Sequence, residues 1–251
     1  MKHADKIGKT ALVAVVLVMV FGLLPGCNNT VSEYVKPYRY EIEITLNNSP
    51  SDGKFPIYTF SRPVFEETSE LAKLINQIFI QKQNALYDEM KKEEKAYESF
   101  PDDIGWDINN PWTHTELSEC SFERLGIISF TLNGEWYMGG VRNGWKVGYT
   151  FDFNLGRELK IADVLFGSET QITATLEKEF NAWYERSYGF KLEDEYSKNR
   201  IKEQSGSDAN FYLSKDGVHI FYEPYTVSGT QNGIDILIPW TRTELVQQLV
   251  N

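Results

Sequence analysis

The chain has 251 residues, a formal charge of −11 and 14% aromatic residues. An acidic surface repels nucleic acid, so we expect no nucleic-acid partner. With two cysteines and three histidines, the chain offers no disulfide framework and too few ligands for a zinc site, and we expect neither a metal nor a cofactor.

The first 26 residues have the three zones of a secretory signal peptide. Lysines stand at positions 2, 6 and 9, and the uncharged apolar stretch Ala11–Leu24 follows. This stretch is too short for a membrane-spanning helix, which needs roughly 17–25 residues. The quartet Leu24-Pro25-Gly26-Cys27 resembles the bacterial lipobox, although proline replaces the usual small residue. The resemblance implies cleavage before Cys27, with residues 27–37 as a tether.

A cysteine that carries acyl chains such as palmitate would anchor the protein to the bacterial cell envelope, on its extracytoplasmic face. Cleavage would remove three lysines and one aspartate, so the formal charge of the mature chain would fall from −11 to −13. Cys120 would then be the one remaining thiol.

Two elements are predicted near the start of the mature chain. Alternating apolar and polar residues over 38–46 predict a half-buried strand, whose buried face holds Tyr38, Tyr40, Ile42, Ile44 and Leu46. From about residue 68 the apolar positions recur every three and four residues, which predicts a long amphipathic helix.

The middle of the chain is predicted to hold a loop and several strands. Residues 100–114 are rich in Pro, Asp and Asn, so we expect a loop that includes His114. Asn133-Gly134 predicts the turn of a β-hairpin. Residues 147–153 alternate again as a strand.

The last third of the chain is predicted to contain a second long helix. Ser168 and Gln171 form a capping box at its start, and Gly189 ends it. Residues 191–209 are polar and predict a loop, and Asp216-Gly217 predicts a hairpin turn before a last strand at 234–238.

Thr241 and Glu244 predict the cap of a short C-terminal helix. Strands outnumber helices and rarely alternate with them. We therefore predict an α+β fold of mainly antiparallel sheets packed with two long amphipathic helices and the short C-terminal helix, divided into subdomains 38–140 and 141–251.

The sequence contains no clear catalytic constellation. His219 is isolated on a strand, and the glycine-rich segment 139–148 lacks the Lys-Ser/Thr and the following helix of a phosphate-binding loop. One loop gathers carboxylates beside indoles: Asp102, Asp103, Trp106, Asp107 and Trp112. These carboxylates could serve a glycosidase, which needs two of them, or a contact surface for a sugar or a basic partner.

Two late stretches, YTFDFNLGRELKIADVLF and LSKDGVHIFYEPYTVSGTQNGIDILIPWTRTEL, have a familiar pattern. They resemble the domain of unknown function that is shared by the ectodomain of RsiV, a lysozyme-sensing anti-sigma factor, and the non-catalytic part of the deacetylase PdaC. The likeness covers roughly residues 147–249. The features that match are Gly156-Arg157, Asp163–Phe166, Glu223-Pro224-Tyr225 and Ile238-Pro239.

The resemblance implies an extracytoplasmic module that binds proteins or wall polymers and is not an enzyme. Members often carry Gly-Gly-Ala-His where this chain has Gly139-Gly140-Val141-Arg142. A function that depends on that histidine would therefore be lost here.

Our hypothesis is an envelope lipoprotein without catalytic residues that binds a wall glycan or a basic wall-active protein such as lysozyme. The alternatives are a carboxylate-dependent wall hydrolase and a structural envelope lipoprotein. The expected contact residues are Asp102, Asp103, Trp106, Asp107, Trp112 and Tyr225.

Overall fold

The computed structural model describes residues 36–47, 57–97, 113–138, 141–227, 230–247 and 249. All of them belong to one unit, Val35–Asn251. Within these residues no helix is long and apolar enough to cross a bilayer. The expected signal peptide, Cys27 and most of the tether lie outside the described residues. The boundary between subdomains at residue 140 remains a prediction.

The first sheet contains six strands in chain order. They are β1 (Tyr40–Asn47), β2 (Ile57–Phe65), β3 (Thr113–Arg124), β4 (Ile127–Met138), β5 (Val141–Asp152) and β6 (Arg157–Glu158). All neighbours are antiparallel except β2 and β3, which are parallel. Helix α1 (Glu70–Tyr97) joins this parallel pair and contacts β2, as a crossover between parallel strands requires.

The second sheet contains three antiparallel strands, preceded in the chain by three helices. The helices are α2 (Ile161–Val164), α3 (Glu169–Tyr188) and α4 (Glu195–Gln204), and the strands are β7 (Phe211–Leu213), β8 (Gly217–Tyr222) and β9 (Ile234–Pro239). The α+β class with mainly antiparallel sheets is therefore confirmed, and α1 and α3 are the two long helices.

Each sheet has its own apolar core. In the first, α1 buries Ile75 and Phe79 against Phe130 and Phe151 of β4 and β5. In the second core, α3 and the strands bury aliphatic and aromatic side chains, among them Ile172, Leu176, Phe180, Ile220, Tyr222, Ile236 and Ile238. The buried residues recur at every fourth position of α3 and at every second position of β9, so each element turns one face to this core.

The predicted buried face of the first strand is right for Tyr38 and Tyr40, which pack on the core, and wrong for the three residues that follow on that face. Ile42, Ile44 and Leu46 are 39, 63 and 64% exposed. At this end of the hairpin the buried residues of β2 are Tyr58 and Phe60, whose cross-strand neighbours are the odd-numbered positions of β1. Directly opposed residues lie on the same face, so Ile44 and Leu46, which alternate with Thr45 and Asn47, point away from Tyr58 and Phe60.

Residues 191–209 do not form the predicted loop, because α4 lies within them. The Asp194 carboxylate accepts the Ser197 N–H at 2.9 Å and so caps the helix, and Ile201 is buried. This helix has few apolar residues, so their spacing did not predict it.

The predicted C-terminal helix is also wrong, because residues 241–245 form turns. Val246 then makes a β-bridge with Leu165. The Gln247 N–H donates to the Val164 carbonyl at 2.8 Å. These tertiary bonds replace the helical ones in a segment that is too short to form a stable helix by itself.

Asn133-Gly134 is not a turn but lies inside β4. A Cβ at Gly134 would overlap the Trp145 indole of β5, so the glycine serves close packing. The β3–β4 turn lies at Leu125-Gly126 instead. His114, which was expected in the loop, belongs to β3 and is buried against Tyr58.

The two sheets meet where β5 passes the start of β7. The Asn210 side chain accepts the Gly148 N–H at 2.8 Å and donates to the Lys146 carbonyl at 2.6 Å. Ser129 Oγ accepts the Leu213 N–H at 3.0 Å and lies 2.9 Å from Thr150 Oγ1. At this junction, side chains thus form the hydrogen bonds of backbone N–H and carbonyl groups that are not paired with a neighbouring strand.

A charged network crosses the same junction. Lys146 of β5 donates to Asp235 Oδ2 of β9 at 2.9 Å, and Tyr212 donates to the same oxygen at 2.5 Å. His219 Nδ1 lies 2.8 Å from Asp235 Oδ1. Burial opposes ionisation of Asp235, but the hydrogen bonds from His219, Tyr212 and Lys146 outweigh it and lower the pKa to about 2.

Gly148→Ala should strongly destabilise the protein, because the new Cβ would overlap the Phe211 carbonyl. We expect a loss of at least about 3 kcal/mol in the free energy of unfolding, measured by urea denaturation. Gly156→Ala is the control, since its φ of +68° disfavours alanine but no atom lies within 4 Å. It should cost about 1 kcal/mol. Equal losses would contradict the close approach of β5 and β7.

Asp235→Asn should lower the free energy of unfolding by about 2 kcal/mol at pH 7, because His219 and Lys146 lose their ionised partner. A depressed pKa stabilises the folded state above the unfolded value of about 3.9. The difference between wild type and variant should therefore shrink as the pH falls from about 4 to about 2. Asp208→Asn, whose side chain is 90% exposed, is the matched control. A difference that did not change over this pH range would contradict the assignment.

Candidate functional site

Of the six contact residues predicted from the sequence, only Tyr225 belongs to the described residues. Asp102, Asp103, Trp106, Asp107 and Trp112 lie outside them. Tyr225 is 47% exposed and adopts a φ of 61°, and its hydroxyl donates to Asn143 Oδ1 at 2.9 Å. The hydrogen bond places Tyr225 beside β5, at the residue that follows Arg142.

Arg142 at this position forms a surface contact of its own. Its Nη1 lies 3.4 Å from Glu135 Oε2, and its guanidinium lies 5.5 Å from the centre of the Tyr137 ring. The guanidinium offers N–H donors but no acceptor, so it does not replace an imidazole as a base.

His219 is less isolated than the sequence indicated. Its Nε2 lies 3.0 Å from Ser214 Oγ and its Nδ1 faces Asp235, which is the connectivity of a serine nucleophile, base and carboxylate. However, Ser214 Oγ also accepts the Asp216 N–H at 3.1 Å, and the Tyr212 ring stacks on the imidazole at 4.5 Å. The cluster closes the β7–β8 turn and fastens the sheets together, so we assign it a structural role.

The exposed aromatic groups of the second sheet collect at the end of α3. Rings follow one another outward from the core: Phe180, Trp183, Tyr184 and Tyr188. Gly189 then ends the helix at a φ of +79°, and its N–H donates to the Glu185 carbonyl at 2.9 Å. The left-handed residue reverses the chain, so that Phe190 returns edge-on to Tyr184 with ring centres 5.7 Å apart.

A cleft of about 360 Å³ runs between α3 and α4 next to this aromatic group. We call it the α3–α4 cleft. Its walls are formed by Glu177, Asn181, Glu185, Lys191, Leu192, Lys198 and Ile201. A second hollow of about 340 Å³ shares Lys191 and Leu192 with it and adds Tyr184 and Phe190. Together they form an open trough with an apolar, aromatic end.

The capping of α4 fixes one side of the trough. Asp194 accepts hydrogen bonds from the Ser197 hydroxyl at 2.5 Å and from the Ser197 N–H at 2.9 Å. These bonds lower the pKa of the Asp194 carboxyl, which therefore stays ionised at the positive end of the helix. Asp194 has a structural role here and is not free to act as an acid.

The α3–α4 cleft suits a polar, uncharged ligand with an apolar face. Two carboxylates and two ammonium groups line it, so charge neither attracts nor repels a neutral molecule strongly. Phe190, which lines the adjoining hollow, is 59% exposed and offers a ring face at the end of the cleft. In the described part of the chain, no three His, Cys, Asp or Glu side chains are grouped closely enough to hold a metal ion.

Sequence reasoning missed this site because it searched for carboxylates beside indoles. The informative signal was the stretch Tyr188-Gly189-Phe190, in which two large aromatics flank a helix-ending glycine. Such rings cannot both continue along the buried face of α3. Exposure of at least one of them could have been predicted from the capping box and the position of the glycine.

Comparison with known proteins identifies a family for part of the chain. Residues 164–241 match the family model described as "Protein of unknown function (DUF3298)". This segment includes α3, α4 and the strands of the second sheet, and hence the α3–α4 cleft. No curated protein matches the chain.

Two solved structures share the fold. A DUF3298 family member from Bacteroides fragilis has 15% identity and a TM-score of 0.52, and the match covers 85% of this chain and 96% of that one. A DUF3298 family protein from Pseudomonas aeruginosa PAO1 has 12% identity and a TM-score of 0.51, with 85% and 95% covered. The chain therefore contains a segment that matches the DUF3298 family and has the fold of solved DUF3298 proteins.

Proposed function

We propose that this chain is a bacterial envelope lipoprotein, anchored through Cys27, whose folded part binds cell-wall glycan at the α3–α4 cleft without cleaving it. A basic wall-active protein such as lysozyme is the second candidate ligand. Placement with the RsiV-like and PdaC-like proteins is part of the proposal and rests on the motifs around Gly156-Arg157 and Tyr225. The observation that carries it is the aromatic trough at the end of α3.

A sugar ring has an apolar C–H face and a rim of hydroxyl groups. Binding it requires a flat aromatic surface together with a few hydrogen-bond donors and acceptors. Phe190 and Tyr184, which line the adjoining hollow, provide the first, and Glu177, Asn181 and Lys191 provide the second. The cleft volume of about 360 Å³ lies at the lower end of the range for small-molecule sites, roughly 300–1,000 Å³.

The balance of charge within the cleft itself suits a glycan, whereas the adjoining hollow is acidic and would accept part of a basic protein. Glu177 and Glu185 oppose Lys191 and Lys198 in the cleft, but Glu193 and Asp194 add two carboxylates in the hollow. The overall charge of −11 would still steer such a protein toward the surface, but steering alone gives a weak interaction that salt screens. Salt dependence therefore separates the two ligands.

Replacement of Cys27 by serine should abolish the anchor, because a hydroxyl does not form the thioether. Cells grown with labelled palmitate should give a labelled protein in the membrane fraction for the wild type. The variant should lack the label and leave that fraction. Cys120→Ser is the matched control and should behave as the wild type does. Equal labelling of the wild type and Cys27→Ser would contradict the proposal.

Phe190→Ala should weaken binding of a tetramer of N-acetylglucosamine about three- to tenfold, the share expected of one aromatic contact. Calorimetry on the full chain in detergent would measure it. Phe166→Ala is the matched control, since Phe166 is 53% exposed but lines neither the cleft nor the adjoining hollow, which Phe190 lines. Its affinity should equal that of the wild type.

The same titration tests the alternatives. Equal affinities for Phe190→Ala and the wild type, or no binding at all, would contradict the glycan site. Binding of lysozyme that disappears at high salt would favour the second candidate. Shorter sugars after incubation would indicate the hydrolase alternative, and replacing Asp102, Asp103 and Asp107 by asparagine would then stop cleavage.

A further inference from the structure

Two turn tips of the first sheet each expose a leucine. Leu125, in the β3–β4 turn, is 37% exposed, and Leu155, in the turn between β5 and β6, is 59% exposed. The tips contact each other, because Asn154 Nδ2 donates to the Leu125 carbonyl at 2.8 Å and the Phe153 N–H donates to the Gly126 carbonyl at 2.8 Å. The two leucines therefore lie at one end of the sheet.

Neither leucine is explained by the turn that holds it. Leu125 adopts a φ of 48°, a conformation in which glycine, asparagine and aspartate are favoured. Leu155 follows Asn154 in a tight turn and buries little of its side chain. An apolar residue that is unfavourable in its turn and does not contribute to the core is expected where the protein contacts another surface.

The chain enters the fold at this same end. Lys36, the first described residue, forms an ion pair with Glu123 at 2.7 Å, next to Arg124 and Leu125. Tyr38 then stacks on Phe153 with ring centres 4.1 Å apart. Only eight residues lie between Cys27 and Lys36, and the nine steps along the chain can span at most about 30 Å. An anchor at Cys27 would therefore hold the two tips within reach of the lipid headgroups.

Basic side chains accompany the leucines. Arg124 and Lys215 line one cavity of about 560 Å³ together with Trp240. Of the nearby carboxylates, Glu123 is paired with Lys36, and Asp152 accepts the N–H groups of Asn154 and Leu155. Asp216 beside Lys215 is exposed. Three bases and three carboxylates thus lie at this end, which is nearly neutral in a chain that is acidic as a whole.

We propose that this end, defined by Lys36, Arg124, Leu125, Leu155 and Lys215 and called the tip surface, rests on the anionic lipid membrane that holds the anchor. This inference depends on the proposed lipid anchor. The leucines enter the headgroup region, and Arg124 and Lys215 contact lipid phosphates, as in other interfacial anchors. Repulsion between the acidic remainder and the lipid favours the same orientation, which leaves the α3–α4 cleft to its own ligand.

The test places an environment-sensitive dye on Leu155→Cys and, separately, on Leu125→Cys, in full chains that carry Cys120→Ser. Leu237→Cys is the control, since Leu237 is 40% exposed on β9. Proteins purified from membranes are reconstituted into vesicles of phosphatidylglycerol and phosphatidylcholine. Flotation reports the anchor, and quenching of the dye by aqueous iodide reports contact with lipid.

We expect the chains to float and the quenching constants at positions 125 and 155 to fall at least about threefold on reconstitution, with position 237 unchanged. Phosphatidylcholine alone should give a smaller fall. Flotation of the chains without protection of positions 125 and 155 from iodide would overturn the tip surface but would agree with the lipid anchor. Protection that appears in detergent and grows with protein concentration would indicate a second copy of the chain instead, and would overturn the inference. Failure to float, with no protection, would overturn both proposals.

Discussion

The close approach of β5 to β7 is the constraint on which the remaining structure depends. Gly148 allows it, because any side chain there would meet the Phe211 backbone, and Asn210 satisfies the backbone groups that this crossing leaves without a ladder. Lys146 then reaches Asp235 from the same strand. A single strand thus belongs to the first sheet by its ladder and to the second by its side chains.

The long helices were predictable because their signals are local. The apolar spacing of α1, and the Ser168 cap and Gly189 end of α3, depend on residues that are neighbours in the chain. The α4 helix was missed since it buries little more than Ile201 and is defined by Asp194. The C-terminal segment was predicted wrongly because its partner, Leu165, lies 81 positions earlier. Local patterns contain no information about such a contact.

The same distinction explains the strands and the site. Ile44 and Leu46 alternate correctly, but which face of the hairpin is buried is set by Tyr58 and Phe60 on the partner strand. Asn133-Gly134 is typical of a turn, and only the position of the Trp145 indole on the neighbouring strand explains the glycine. The α3–α4 cleft arises from a helix that the sequence did not reveal, so its lining could not be foreseen. Only the aromatic residues beside Gly189 pointed toward it.

The backbone contacts between the C-terminal segment and the end of α2 set the order in which the chain can fold. Val246 and Gln247 bond to Leu165 and Val164, and β9 supplies the edge of the second sheet only a few residues earlier. A nascent chain lacks these partners until synthesis has passed residue 247. The first sheet can assemble from residues already made, whereas the α3 core must wait for the segment around residue 247. A secretion machinery that requires unfolded cargo would therefore meet a chain whose second half is still unfolded.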